Sequence, residues 1–254
     1  MNKLIALSIG VLCVGVIWWY FKRSNTPKDP NATQPLVVGT SADYKPFSFK
    51  EDGEIIGFDI DVVKAVAQKL GAPITIKDMP FELLLPQLQL GTVQLVAAGL
   101  TPTPERAQRI AFSPVYLDND PLVVITRKNT PVIKSIEDLN GKTVIVNQGY
   151  TGDRYMSALK GPLLTRLPDV SNAMLALRSG RGDAFVAAKN SIRPFFEQHG
   201  EKEFNTFIIP DTEEKVALAI APSYPEFVKR VEKAVNELTQ EGVIQQLKEK
   251  WHLS

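Results

Sequence analysis

The sequence predicts an α/β fold, because short apolar runs of strand character alternate with segments whose apolar residues recur at helical spacing. Leu36–Val38 and Thr143–Asn147 are examples of the first kind, and Val63–Leu70 is an example of the second. Gly71 follows the helical segment at the position where a helix typically ends. Alternation of this sort indicates sheets that carry helices on both faces.

The remaining elements follow the same pattern along the chain. Strands are predicted at Ile74–Ile76, Val93–Ala97, Leu122–Thr126, Asp183–Ala187 and Val216–Ala221. Helices are predicted at Phe81–Leu90 (interrupted by Pro86), Ile136–Leu139 (a single turn), Ser171–Leu177 (capped by Ser171), Phe227–Leu238 and Gly242–Trp251. With 254 residues the chain is long enough for one large or two small domains.

The N-terminus differs from the rest of the chain. Residues 4–21 are almost entirely apolar, are flanked by Lys3, Lys22 and Arg23, and end in aromatic residues. Eighteen residues at about 1.5 Å each just span a hydrocarbon core of about 30 Å. A cleaved signal peptide and an uncleaved anchor both fit this pattern. We expect residues 1–23 to be an uncleaved membrane anchor, because no small-x-small cleavage site follows, and 24–34 to be a polar, proline-rich linker.

Charge and cysteine content exclude several functions. The first 23 residues hold three of the 29 basic residues and no acidic one, which leaves 26 Lys and Arg against 28 Asp and Glu. This balance gives no basic face for nucleic acid. The single cysteine, Cys13, lies in the apolar segment, so no disulfide, thiolate metal site or thiol nucleophile is expected beyond it.

The most informative segment is 98–106, which follows an apolar strand and opens a helix. Thr103 is suited to the N-cap, Pro104 to the first helical position and Glu105 to the first turn. Arg106 is thereby held near a helix N-terminus, where free amides and the helix dipole attract anions. A guanidinium in this setting is a good receptor for a carboxylate. The alternative is a capped helix with a solvated arginine.

Seven motifs in order carry a resemblance to a known family. The motifs are Tyr44–Phe49, Gly57–Val62, Leu84–Leu88, Gly99–Arg106, Phe112–Tyr116, Leu139–Val144 and Gly242–Trp251. Together they resemble the polar-amino-acid-binding proteins of ABC importers, extracellular solute-binding family 3. The resemblance implies a two-lobed, periplasmic-binding-protein-like α/β fold of type II. Lobe I would be 35–119 plus 211–254 and lobe II 120–210, joined by two crossover strands around a ligand cleft.

The resemblance also implies the roles of individual residues. On the first lobe, Arg106 and Thr101 match the groups that bind the ligand α-carboxylate, and the Gly99 carbonyl matches a contact of the α-ammonium. Tyr44 and Phe81 match aromatics that enclose the ligand side chain. The loop and second-lobe positions that complete the expected site are Ser41, Asp43, Gln148, Thr151 and Ala188.

Ala188 is a departure from the family pattern. Relatives usually end this strand with an acidic residue that pairs with the α-ammonium. Either another acid replaces it, with Asp43 the first candidate before Asp153 and Glu82, or the ligand is not an ordinary α-amino acid. The aromatic residues together with Asp43 and Glu82 favour a ligand with a basic or amide side chain, such as arginine, lysine, histidine or glutamine.

Functions from other classes share this fold. A dehydratase of prephenate or arogenate type needs a general acid in the cleft, but the two histidines, His199 and His252, fall outside the cleft motifs. A sensor would need an output domain, and we expect none in this sequence. We therefore expect no catalytic residues, cofactor or metal. We expect a monomer outside the cytoplasmic membrane that binds an amino acid, works with an ABC permease and is tethered by residues 4–21.

Overall fold

The computed structural model describes residues 35–253. The predicted anchor and linker therefore lie outside the described residues. Among the helices of residues 35–253, none combines the length and the apolar character that a membrane span requires.

The described chain contains thirteen strands and eight α-helices. The strands are β1 (Leu36–Thr40), β2 (Asp43–Tyr44), β3 (Ser48–Glu51), β4 (Glu54–Ile56), β5 (Ile74–Asp78), β6 (Leu95–Val96), β7 (Ala111–Phe112), β8 (Leu117–Arg127), β9 (Thr143–Asn147), β10 (Leu163–Leu167), β11 (Ala184–Ala188), β12 (Phe204–Val216) and β13 (Ala219–Ile220). The helices are α1 (Phe58–Leu70), α2 (Phe81–Gln89), α3 (Pro104–Ala107), α4 (Thr151–Ser157), α5 (Val170–Arg178), α6 (Lys189–His199), α7 (Pro225–Gln240) and α8 (Val243–Lys250), with a 3₁₀ turn at Ile136–Leu139.

Two five-stranded sheets organise these elements. The first has the strand order β5-β1-β6-β13-β7 and the second β10-β9-β11-β8-β12, while β2, β3 and β4 form a small meander. In the first sheet β1 pairs in parallel with β5 and β6, and in the second β9 pairs in parallel with β10 and β11. The last strands of each sheet pair in antiparallel fashion. The predicted α/β class is confirmed.

The chain passes between the sheets twice, and both passages run through long strands. It leaves the first sheet after β7 and enters the second through β8, then returns from β12 to β13. The lobe limits predicted at 119/120 and 210/211 fall inside β8 and β12. These two strands pair with each other over most of their length, and the register shifts between Ile208 and Glu213. Residues in the first part of β8 and the last part of β12 therefore lie between the two sheets.

Apolar faces of the helices cover the first sheet. In α1, Val62, Val63 and Val66 recur at helical spacing and are fully buried. Gly71 ends this helix with φ of 65°, a left-handed conformation that costs a glycine little. Burying side chains of this size contributes about 1.5–3 kcal/mol each. The helix is therefore held by its packing as well as by its end residue.

Two predicted helix details are corrected by the structure. Pro86 does not interrupt its helix, because it lies inside α2 and removes only one donor while Leu84 and Leu88 stay fully buried. Ser171 is not the N-cap of α5. The side chain of Asp169 accepts a hydrogen bond of 2.8 Å from the Asn172 amide, so the helix begins at Val170.

Candidate ligand-binding site

The short helix α3 holds Arg106 at one wall of the cleft. The Thr103 hydroxyl accepts a hydrogen bond of 3.3 Å from the Arg106 amide, and Pro104 is the first helical residue. The predicted cap is thereby confirmed. The side chain turns inward instead of into solvent, and Arg106 is only 6% exposed. The alternative of a solvated arginine is wrong.

The Arg106 guanidinium binds main-chain oxygens from both sides of the cleft. Nη1 donates to the Thr101 carbonyl at 2.9 Å, and Nη2 donates to the Gly149 carbonyl at 3.0 Å. Within residues 35–253 no carboxylate lies at salt-bridge distance from it, and burial lowers its pKa. The Glu214 carboxylate acts on this cation electrostatically without pairing with it, so the buried charge is only partly compensated. The guanidinium is therefore suited to an anionic group entering the cleft.

The backbone at Gly99 lies against the aromatic ring of Tyr44. Its φ is 60°, and a Cβ at this position would come within 2.5 Å of that ring. The Gly99 amide donates to Asp59 Oδ2 at 2.6 Å. Burial raises the pKa of Asp59 to about 7, although the hydrogen bond from Gly99 acts in the opposite direction. Asp59, in the first turn of α1, therefore ties the loop that contains Gly99 to this helix.

Three aromatic rings meet across the cleft. The Tyr150 ring lies 4.3 Å from Phe81 and 5.2 Å from Tyr44, measured between centroids. The Phe81 ring also lies 5.8 Å from the Arg106 guanidinium carbon. Tyr44 and Phe81 were predicted for this position, but Tyr150 was not. Its place between Gly149 and Thr151, inside a motif already assigned to the cleft, could have indicated it.

A cavity of about 390 Å³ adjoins Phe81 and is predominantly acidic. Its charged lining consists of Asp43, Asp78, Glu82 and Lys50. Lys50 forms a salt bridge of 2.6 Å with Asp78, and Ser41 donates a hydrogen bond of 2.8 Å to Asp43. Burial raises the pKa of Asp43, and the nearby Asp169 adds to the rise. We call this space the acidic cavity; it contains the predicted residues Ser41 and Asp43.

The remaining predicted residues lie on the elements of the second sheet, across the cleft from Arg106. The Gln148 side chain is exposed, and the main-chain amide of Gln148 donates a hydrogen bond of 3.0 Å to the Leu167 carbonyl. Asp153 is engaged in a salt bridge of 3.0 Å with Arg166 and also accepts from the Gly149 amide. Thr151 is the first residue of α4. Ala188, the last residue of β11, is buried and uncharged.

Two buried acids that sequence reasoning missed lie between the sheets. Asp120 on β8 pairs directly with Glu214 on β12, and the residues are 2% and 6% exposed. Burial raises the pKa of Glu214 to about 7, and the Asp120 carboxylate adds to the rise. Burial likewise raises the pKa of Asp120 to about 6. No sequence pattern distinguishes Glu214 from its exposed neighbour Glu213.

Comparison with known proteins identifies the family. Residues 36–254 match the model of the bacterial extracellular solute-binding proteins, family 3. The chain belongs to this family. The arginine-binding extracellular protein ArtP of Bacillus subtilis is 34% identical over 233 residues, covering 90% of each chain.

Solved structures of similar fold agree with this assignment. The substrate-binding protein of an amino acid ABC transporter is 36% identical with a TM-score of 0.77, covering 85% of this chain and 98% of that one. An ancestral arginine-binding protein bound to arginine is 32% identical with a TM-score of 0.79, covering 87% of this chain and 99% of that one. The expected two-lobed fold is confirmed, and these similar proteins are solute-binding proteins and not enzymes.

Several contacts hold the two lobes of this solute-binding protein together. Arg106 reaches Gly149, Tyr150 packs against the first-lobe aromatics, and Glu105 of α3 forms an ion pair with Arg154 of α4. At the other edge, Arg193 Nη2 of α6 donates to the Trp251 carbonyl at 3.0 Å. A ligand that touches both walls would therefore add to an existing set of closing contacts.

Proposed function

We propose that this solute-binding protein captures an α-amino acid with a cationic side chain, arginine foremost, and passes it to an ABC permease. The observation that carries the proposal is the buried Arg106, whose guanidinium hydrogen bonds within residues 35–253 go only to carbonyl oxygens. A carboxylate is the ligand group that such a guanidinium binds most strongly, through two parallel hydrogen bonds. Thr101 adds a hydroxyl beside it.

The acidic cavity supports the cationic side chain. An extended chain that begins at Arg106 and passes Phe81 leads to Asp43 and Glu82, which line the cavity. A guanidinium or ammonium group is favoured there by the surrounding carboxylates and by the face of the Phe81 ring. An acidic side chain would be repelled. The names of the relatives, which include arginine-binding proteins and a component of an amino acid ABC transporter, point the same way.

The site residues have separate roles in this proposal. Arg106, Thr101 and Thr151 bind the carboxylate, the Gly99 carbonyl contacts the ammonium, and Tyr44 and Phe81 enclose the side chain. Ser41 and Asp43 lie toward its far end, and Gln148 lies near Thr151 on the second lobe. Closure about β8 and β12 then encloses the amino acid between the lobes.

The proposal also includes the setting of the protein. We infer a monomer that works outside the cytoplasmic membrane and stays attached through residues 4–21. Sequencing the N-terminus of protein isolated from its own host tests the attachment. A mature chain that begins at Ser24 or later would contradict it.

A ligand screen tests the function directly. Full-length protein purified in detergent is scanned for a rise in melting temperature with each of the twenty amino acids, and the hits are measured by calorimetry. We expect arginine to give the largest shift and aspartate and glutamate none. If no amino acid shifts the transition, the proposal is wrong.

A further inference from the structure

The proposed ligand brings a positive charge into the cleft beside its carboxylate. An α-amino acid carries an ammonium group about two bonds from its carboxylate, so binding at Arg106 draws that cation into a buried region. A buried cation is strongly disfavoured without a carboxylate partner. Ala188 offers none, because it carries no charge.

Few buried acids are available in the described part of the chain. They are Asp59, Asp120, Asp153 and Glu214. Asp153 is paired with Arg166, and Asp59 is committed to the Gly99 amide. Asp43 is exposed and belongs to the acidic cavity at the far end of the proposed ligand. Within residues 35–253, the other two buried carboxylates are Asp120 and Glu214. They also accept hydrogen bonds, from the Asn190 amide and the Thr101 hydroxyl, but they lie opposite each other on the two strands that run between the sheets, at the cleft.

Glu214 contacts one of the residues that are proposed to bind the ligand carboxylate. The Thr101 hydroxyl donates to Glu214 Oε2 at 3.3 Å, and Thr101 also supplies the carbonyl that binds Arg106. A hydrogen bond from the Thr151 side chain lowers the pKa of Glu214, so this carboxylate touches the lobe II wall as well. Its position matches the short spacing between the two charged groups of an amino acid.

Asp120 occupies the strand next to Ala188. Ala188 on β11 pairs with Leu122 on β8. Asp120 precedes Leu122 by two residues in β8, so the two side chains share a face of the strand. Asp120 Oδ1 accepts the Asn190 amide at 2.9 Å, just beyond Ala188. A carboxylate is thus present one strand away from the uncharged position, directly opposite Glu214.

We propose that Glu214 and Asp120, one on each of the two strands that join the lobes, together form the receptor for the ligand α-ammonium. This inference rests on the proposed function and makes it more specific, because it requires a ligand with a free α-amine. It also assigns a binding role to the joining strands, so that the ligand touches both lobes and the connection between them.

The charges around the pair explain why it can accept a cation. Arg106 faces Glu214, while Lys189 and Arg193 act on Asp120 from α6, and the Tyr44 hydroxyl faces both acids. Each carboxylate still has a pKa above its usual range, because burial outweighs these cations, and the Asp120 carboxylate adds to the rise at Glu214. An ammonium bound between them favours the ionised form of both. Ligand binding near neutral pH therefore releases protons.

The test compares L-arginine with 5-guanidinopentanoic acid, which is arginine without its α-amino group. Calorimetry on the full chain in detergent is carried out for wild type, Glu214→Gln and Asp120→Asn. We expect Glu214→Gln to weaken arginine binding roughly tenfold to a hundredfold and Asp120→Asn somewhat less. The affinity for the deaminated analogue should change by less than about threefold, because it has no ammonium to lose a partner.

Matched controls and a proton count complete the experiment. Glu213→Gln and Asp118→Asn remove exposed acids on the same strands and should leave arginine binding unchanged. At about pH 6.5, buffers of different ionisation enthalpy should reveal proton release on arginine binding, reduced in Glu214→Gln. The analogue should release fewer protons than arginine in the wild type.

Three results would overturn the inference. Arginine affinity within about threefold of wild type in both variants would show that the acids do not bind the ammonium. Equal weakening of arginine and the analogue would assign them a purely structural role. In both cases the proposed function stands, provided that the wild type binds arginine. If the wild type binds no amino acid, the proposed function fails and this inference fails with it.

Discussion

The two ends of the cleft bind charge in different ways. At one end Arg106, Thr101, Asp120 and Glu214 are all at least nine-tenths buried, and their charges act with little screening. The acidic cavity at the other end contains exposed carboxylates whose field is weakened by water and salt. The buried end should therefore select the amino acid backbone strongly, and the acidic cavity should only adjust the preference among side chains.

The largest effect is expected for Arg106→Ala. The ligand carboxylate would lose its buried partner, which costs on the order of 2–5 kcal/mol, and calorimetry with arginine should detect little or no binding. Arg109→Ala is the control, because Arg109 is exposed three residues farther along the same segment. A loss smaller than about threefold would remove Arg106 from the carboxylate site and with it the contrast between the ends.

A smaller loss is expected for Phe81→Ala. Phe81 lies between the two ends and contributes contact area and cation–π attraction, so arginine binding should weaken by about 1–3 kcal/mol. Leu83→Ala removes a partly exposed side chain from the same helix and serves as the control. If both variants bind equally well, Phe81 is a core residue and does not contact the ligand.

The buried acids should also make stability depend on pH in a particular direction. The pKa values of Asp59 and Glu214 are raised by burial to about 7 and that of Asp120 to about 6. The folded state then holds more protons than the unfolded state, so ligand-free stability falls as pH rises from about 4.5 to about 7. Each group contributes on the order of 1 kcal/mol per unit of pKa, and melting temperatures should fall by several degrees.

Scanning calorimetry between about pH 5 and pH 7.5 measures this slope. Glu214→Gln should reduce it, because the glutamine does not titrate, whereas Glu213→Gln should leave it unchanged. A melting temperature that stays level or rises over this range would mean that the acids are solvated. The buried end would then resemble the acidic cavity.

The smallest effect is expected at the acidic cavity. Glu82→Gln removes one of several exposed carboxylates, so arginine should bind about two- to fivefold more weakly at low salt. Citrulline, which has a neutral side chain of similar shape, should bind equally well to wild type and variant. An equal loss for both ligands would mean that Glu82 acts through structure and not through charge.

The sequence allowed much of the binding wall on the first lobe to be predicted, because its information is local. The residues of the α3 cap are consecutive, so Thr103, Pro104 and Arg106 fix that helix by short-range hydrogen bonds and dihedral preferences. Gly71 ended α1 for the same reason. The family resemblance then supplied the two-lobed arrangement, which alternation of strands and helices alone did not specify.

Tertiary structure decided the features that depend on distant residues. Asp120 and Glu214 are 94 positions apart in the sequence and become neighbours only because β8 and β12 pair. Tyr150 reaches Phe81 only because the lobes meet, and the unusual pKa values arise only when these side chains leave water. Local sequence determines where a helix begins, but burial and the pairing of distant strands determine which charges share a site.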